Sequence, residues 1–142
     1  MKASLLLSIC ILFSFLLQAQ SPVGKWKFVS YTQETRDGKK TDLLKDFTKE
    51  YPCTATLVMI FTADGKITDQ GGKCPASIQQ AGLGAKWKMP AKNKISILSD
   101  DDDIDPVTYN FEITGNKMRW TIIYEPDEAS PVKQLVAEFV KS

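Results

Sequence analysis

The densest cluster of ionisable side chains in this 142-residue chain is Asp100-Asp101-Asp102-Asp103-Ile104-Asp105. Carboxylates at alternate positions are what a calcium loop uses. Asp101, Asp103 and Asp105 occupy the first, third and fifth places of such a loop, with Glu112 at the twelfth. The sixth place is Pro106, where the loop needs glycine for its sharp turn. Residues from Val107 onward also alternate as a strand, which cannot wrap an ion. The run therefore reads as a solvated hairpin loop, and no metal site is expected. The chain has no histidine, so the commonest general base and the commonest metal ligand are both missing. No nucleophile–base pair and no Gly-rich phosphate loop stands out. Asp42, Asp46 and Glu50 read as a solvated helix face rather than an acid–base set. The expectation is a protein that is not an enzyme, with no catalytic residue and no cofactor.

Cysteine chemistry is the second possibility. Cys10 lies in an apolar leader, which leaves Cys53 and Cys74. The midpoint of these two falls between Ala63 and Asp64, inside an Ala63-Asp64-Gly65 turn. They should therefore stand opposite each other, or one register step away, at the far end of one hairpin. Opposed strand residues have Cα atoms about 4.5–5.5 Å apart, within reach of a disulfide. Such a bond would stabilise the domain by roughly 3 kcal/mol through loop entropy.

The leader sets the compartment. Met1-Lys2 supplies a positive charge, Ala3 to Leu17 is apolar, and Gln18-Ala19-Gln20 puts a small residue beside a cleavage point. This is the pattern of a secretory signal. The run is shorter than the roughly 20 residues that cross a bilayer as a helix. Lipidation at Cys10 is disfavoured by the preceding Ile9 and by the apolar residues that follow. We expect a signal peptide over 1–20, cut near Ala19 or Gln20, and one domain over 21–142. The product is exported, to the periplasm or the exterior, with no membrane span after cleavage. The whole chain carries 18 basic and 17 acidic side chains. With no basic surplus, neither nucleic acid nor an anionic membrane surface is an expected partner.

These residues must be positioned by strands. Trp26, Phe28 and Ser30 alternate with Lys27, Val29 and Tyr31. Thr41 to Phe47 reads as a short helix, N-capped by Thr41, with Leu43, Leu44 and Phe47 on one face. Further strands are expected over Thr54–Thr62, Lys66–Asp69, Gly84–Met89, Lys94–Leu98, Val107–Ile113, Met118–Tyr124 and Val132–Val140. Most are joined by hairpin-length turns, including Ala63-Asp64-Gly65, Pro90-Ala91-Lys92-Asn93 and Gly115-Asn116. The fold class predicted is all-β: an eight-stranded antiparallel up-and-down barrel with one short helix after the first strand.

The same residues resemble the bacterial lipocalin-like domain family. The matching elements are Gly24-Lys25-Trp26-Lys27 in the first strand, Cys53 before the second, and Phe61-Thr62-Ala63-Asp64-Gly65-Lys66 through the first hairpin. Cys74, Gly84-Ala85-Lys86-Trp87 and Asn93-Lys94-Ile95-Ser96-Ile97 follow in order, and the likeness spans Val23 to Phe139. The resemblance implies a small exported barrel that binds an apolar molecule or a partner. In the larger lipocalins an arginine packs across the first-strand tryptophan at the closed end. By that likeness Trp26 closes the barrel base and Arg119 is a structural partner for it. The chain lacks the long C-terminal helix of those larger proteins.

An eight-stranded barrel is just wide enough to be packed solid or to hold one small ligand. Phe28, Trp87, Met89, Tyr109, Phe111, Trp120 and Tyr124 are the candidate lining, with the tyrosine hydroxyls orienting a ligand. The first function expected is binding of a small hydrophobic ligand in the barrel. The alternative is a filled barrel that meets an envelope or extracellular protein partner through its loops, Arg36–Lys40, Gly71–Gln80 and Pro126–Pro131.

Overall fold

The computed structural model describes residues 20–70, 85–100, 103–126 and 130–142. Apolar alternation organises more than half of it into β-strands. Strands β1 (Gly24–Thr35) and β2 (Lys40–Asp42) precede helix α1 (Leu43–Glu50) and a 3₁₀ turn (Pro52–Thr56). Then come β3 (Val58–Phe61), β4 (Ile67–Asp69), β5 (Lys86–Ala91), β6 (Lys94–Leu98), β7 (Val107–Thr114), β8 (Lys117–Ile123) and β9 (Val132–Lys141).

The strands form one antiparallel sheet in the order β4-β3-β1-β9-β8-β7-β6-β5, with β2 added beside β1. The two outer strands meet through a single bridge, Lys66 opposite Lys86. Around it, Ile67 N donates to Ala85 O at 2.7 Å and Trp87 N donates to Gly65 O at 2.8 Å. The sheet is thus nearly closed into the expected up-and-down barrel, with one short helix after the first strand.

The tight turns β3–β4, β5–β6 and β7–β8 gather at one end, and this end is sealed. The β3–β4 turn shows why its sequence works. The Thr62 hydroxyl meets both the Asp64 carboxylate and Lys66 O, and Gly65 sits at φ +85°, a conformation other residues resist. Nearby, Trp26 Nε1 donates to Pro22 O at 2.7 Å, so the indole is buried with its polar atom satisfied. Above this end Trp26, Met59, Phe61, Ile95, Met118, Trp120 and Phe139 are fully buried. Phe139 stacks on Phe28 at 5.1 Å between ring centres and lies 4.7 Å from Trp120. Trp120 meets the edge of Phe61 at 5.7 Å. The lower and middle barrel is a packed aromatic plug.

Three local expectations change. Residues 52–56 form a 3₁₀ turn rather than the start of a strand. Pro52 lies in its first turn, and buried Thr54 donates its hydroxyl to Tyr51 O at 2.7 Å. Helix α1 is capped by Asp42, the last residue of β2, whose carboxylate accepts from Lys45 N at 3.2 Å, and Thr41 lies one residue further back in that strand. The first strand also changes parity. Phe28 pairs with Phe139 and Ser30 with Glu138, which leaves Val29 as a bulge. The extra residue sends Tyr31 inward, opposite buried Ala137, where even alternation would turn it outward.

The candidate site at the open mouth of the barrel

The other end carries the β1–β2 turn, α1 and the links that lead into β7 and β9. Here three tyrosines from three parts of the wall converge. Tyr31 comes from β1, Tyr109 from β7, and Tyr124 follows β8. The phenol of Tyr109 feels both Tyr31 and Tyr124, and that of Tyr31 feels Tyr124. Burial pushes Tyr109 far above the ordinary tyrosine range and Tyr31 above it, and the neighbouring phenols act in the same direction. Both groups stay neutral near pH 7 and present O–H donors. Among the described residues, no hydrogen bond contributes to either shift.

Apolar surface surrounds these hydroxyls. Tyr31 lies 6.1 Å from Phe28 below it and 6.2 Å from Phe47 of α1, and Phe47 lies 6.0 Å from Tyr51. Leu44 packs on the same core. Helix α1 therefore lays its apolar side along the mouth beside Tyr31, while Lys45 and Asp46 face solvent. Deeper in, Tyr109 touches Trp120 at 5.4 Å between ring centres. Trp120 Nε1 is buried with no hydrogen-bond partner among the described residues. Leaving such a donor unpaired costs about 1–3 kcal/mol. The mouth thus combines an aromatic wall with neutral phenols, above a plug that holds the buried Trp120 Nε1 donor.

The seven candidate lining residues do not share one location. Phe28, Phe111 and Trp120 belong to the plug, and Tyr109 and Tyr124 belong to the mouth. Trp87 instead closes the sealed end, because its Nε1 donates to Thr62 O at 3.1 Å in the β3–β4 turn. Met89 lies further along β5 toward the β5–β6 turn, half-buried against the core. Tyr31, Phe47 and Tyr51 join the mouth without having been singled out from the sequence.

Arg119 does not cover Trp26. Met118 and Trp120 point inward, so alternation turns Arg119 outward, between its strand partners Glu112 and Glu138. The cation beside the Trp26 ring is Lys141, with Nζ 6.0 Å from the ring centre. Clefts lined by described residues lie on the outer wall. One of about 340 Å³ is bordered by Gln20, Asn110 and Arg119, and one of about 360 Å³ by Val29, Lys117 and Glu138. A third, of about 470 Å³, lies between α1 and the outer side of β1.

Cys74, the loop 71–80, Asp101 and Asp102 lie outside the described residues, as do positions 1–19 and 127–129. Asp100 pairs with Lys86 at 3.3 Å. Among the described residues, no group of three acidic or cysteine side chains is arranged to hold a metal ion. No described helix is long and apolar enough to cross a membrane.

The fold and its mouth define a class: a small, nearly closed, up-and-down β-barrel with a packed base and a tyrosine-lined open end. Comparison takes the chain no further than this class, since no family model, curated protein or solved structure matches it.

Proposed function

We propose that this is an exported, lipocalin-like binding protein that holds a small hydrophobic molecule at the open mouth of its barrel. The observation that carries the reading is the convergence of Tyr31, Tyr109 and Tyr124 above a filled base. Apolar ligand surface would be buried against these rings and Phe47. That burial is worth about 25 cal/mol per Å² before the entropy of association is subtracted. The neutral phenols would orient an acceptor oxygen on the ligand.

The test is native mass spectrometry of the exported protein, with organic extraction of whatever co-purifies. A stoichiometric apolar adduct, released on denaturation, is the expected result. Tyr109→Phe should weaken its retention about two- to tenfold, the loss of one hydrogen bond, without unfolding the barrel. A clean apo mass, with no thermal shift from a panel of fatty acids and similar molecules, would overturn the reading.

The packed base favours a second reading, in which the barrel is a rigid frame for a protein partner. At the open rim the Arg36 guanidinium donates to the carbonyls of Tyr124, Glu125 and Ser130. It fastens the 124–131 link to the β1–β2 turn and so presents two loops as one surface.

The proposal includes a Cys53–Cys74 disulfide. The β3–β4 register pairs Met59 with Asp69 and Phe61 with Ile67, and in sequence Cys53 precedes Met59 by six residues while Cys74 follows Asp69 by five. Cys53 is half-buried against the core from its 3₁₀ turn. Removing the bond should lower stability by roughly 3 kcal/mol in chemical denaturation. Two alkylatable thiols in unreduced, exported protein would refute the pairing.

A further inference from the structure

We propose that Gln20 becomes the first residue of the exported chain and closes on itself to pyroglutamate. The proposal rests on the reading of residues 1–19 as a removable leader.

Gln20 belongs to the barrel. Strand β6 ends its pairing with β7 at Lys94 opposite Asn110, and just beyond it Phe111 N donates to Asn93 O at 2.8 Å. Two residues further along β7, Ile113 N faces the same edge, where β6 has run out. Ile113 N donates to Gln20 Oε1 at 3.0 Å, so a side-chain amide takes the place of the next strand carbonyl. Two residues after Gln20, buried Pro22 supplies the carbonyl that satisfies Trp26 Nε1 at 2.7 Å. Gln20 is thus joined to the stretch that seals the closed end. A cut after Gln20 would discard the acceptor for Ile113. A cut after Ala19 keeps it and places a small residue at the cleavage point.

That cut frees the α-amine of Gln20, and chemistry follows from the residue type. The amine nitrogen attacks Cδ of its own side chain, forming a five-membered lactam. The bond from Cδ to Nε2 breaks, and Nε2 leaves as ammonia with the proton shed by the amine. No oxidant or co-reactant is needed. Oε1 remains a carbonyl oxygen, able to accept from Ile113 N in the product as in the open form. The same N–H points at the oxygen on which negative charge develops in the tetrahedral intermediate, the position at which a fixed donor lowers a barrier. Gln20 is exposed, which leaves room for the ring to form.

The full chain should be produced in an exporting bacterial host and the exported product weighed intact, with its N-terminal peptide sequenced by mass. The expected species starts at Gln20 and is lighter than the open form by one ammonia. A chain starting at Ser21 or later, or a persistent free amine on Gln20, would overturn the proposal. A product that retains residues 1–19 would overturn the leader reading along with it, and its mass tells the two failures apart. A second measurement follows ammonia loss from a folded chain released at Gln20 by a site-specific protease. It should run several-fold faster than in a synthetic peptide spanning Gln20 to Phe28. Equal or slower loss would remove any role for Ile113 N–H.

Discussion

The chain has four tyrosines, and burial separates Tyr31 and Tyr109 from the ordinary phenol. The fold holds both in their neutral form, so their folded values lie above the unfolded value of about 10. Their contribution to stability is complete below that pH and is lost as pH climbs toward the folded values. Followed by phenolate absorbance, these two rings should ionise late, together with alkaline unfolding. Tyr109→Phe should remove one late phenol and move alkaline unfolding to higher pH. Ionisation of every tyrosine near pH 10 in a still-folded protein would contradict the burial. Trp120 makes a different demand, because it is fully buried among Phe61, Tyr109 and Phe139. Trp120→Ala should cost about 3–5 kcal/mol in chemical denaturation. A near-neutral result would mean that the indole faces a space rather than filling one. Most inward residues could be read from alternation alone, among them Trp26, Phe28, Tyr109, Phe111 and Trp120. Tyr31 could not, because a bulge at Val29 shifts the parity and a single extra residue leaves no periodic trace.

At the scale of elements, the β3–β4 turn is the point where local and long-range geometry coincide. Gly65 needs positive φ, and a Cβ there would stand 3.1 Å from the carbonyl oxygen of Trp87. Gly65→Ala should therefore destabilise by about 1–2 kcal/mol from backbone conformation alone. Crowding against the β4–β5 junction adds to it, and a denaturant midpoint measures the sum. Turn and strand placement was legible here because Asp-Gly between alternating runs has few other solutions. The stretch around Thr54 was not, since an apolar, β-branched run of that length fits either a strand or a tight turn. Nor was the helix cap. Thr41 and Asp42 are both good capping residues and both pair with β1, and the start of the helix at Leu43 leaves Asp42 at the cap.

The whole barrel is unevenly fastened. On one side β1 and β9 pair along nearly their full lengths, from Trp26 opposite Lys141 to Thr35 opposite Val132. Opposite them the wall is held by the Lys66–Lys86 bridge and the short bonds around it. In native-state hydrogen exchange the amides of Ile67 and Trp87 should open well before those of β1, β8 and β9. Uniform protection around the wall would show the junction to be as strong as the rest. Closure into a barrel followed from counting eight amphipathic strands with hairpin connections. Whether the interior is solid or hollow did not, because alternation says which side chains point inward and not at what height they stand.

The long pairing also sets a clock. It joins the first strand of the barrel to its last, so the major partner of β1 is made only after every other strand of the barrel. Until that stretch arrives, β1 has beside it the short β2 and the four residues of β3. Pairing between strands so distant in sequence is slow, on the order of milliseconds to seconds for all-β domains. A growing chain therefore stays open until β9 is made, and under the proposed export a machine that threads extended polypeptide would meet no finished barrel to pull apart.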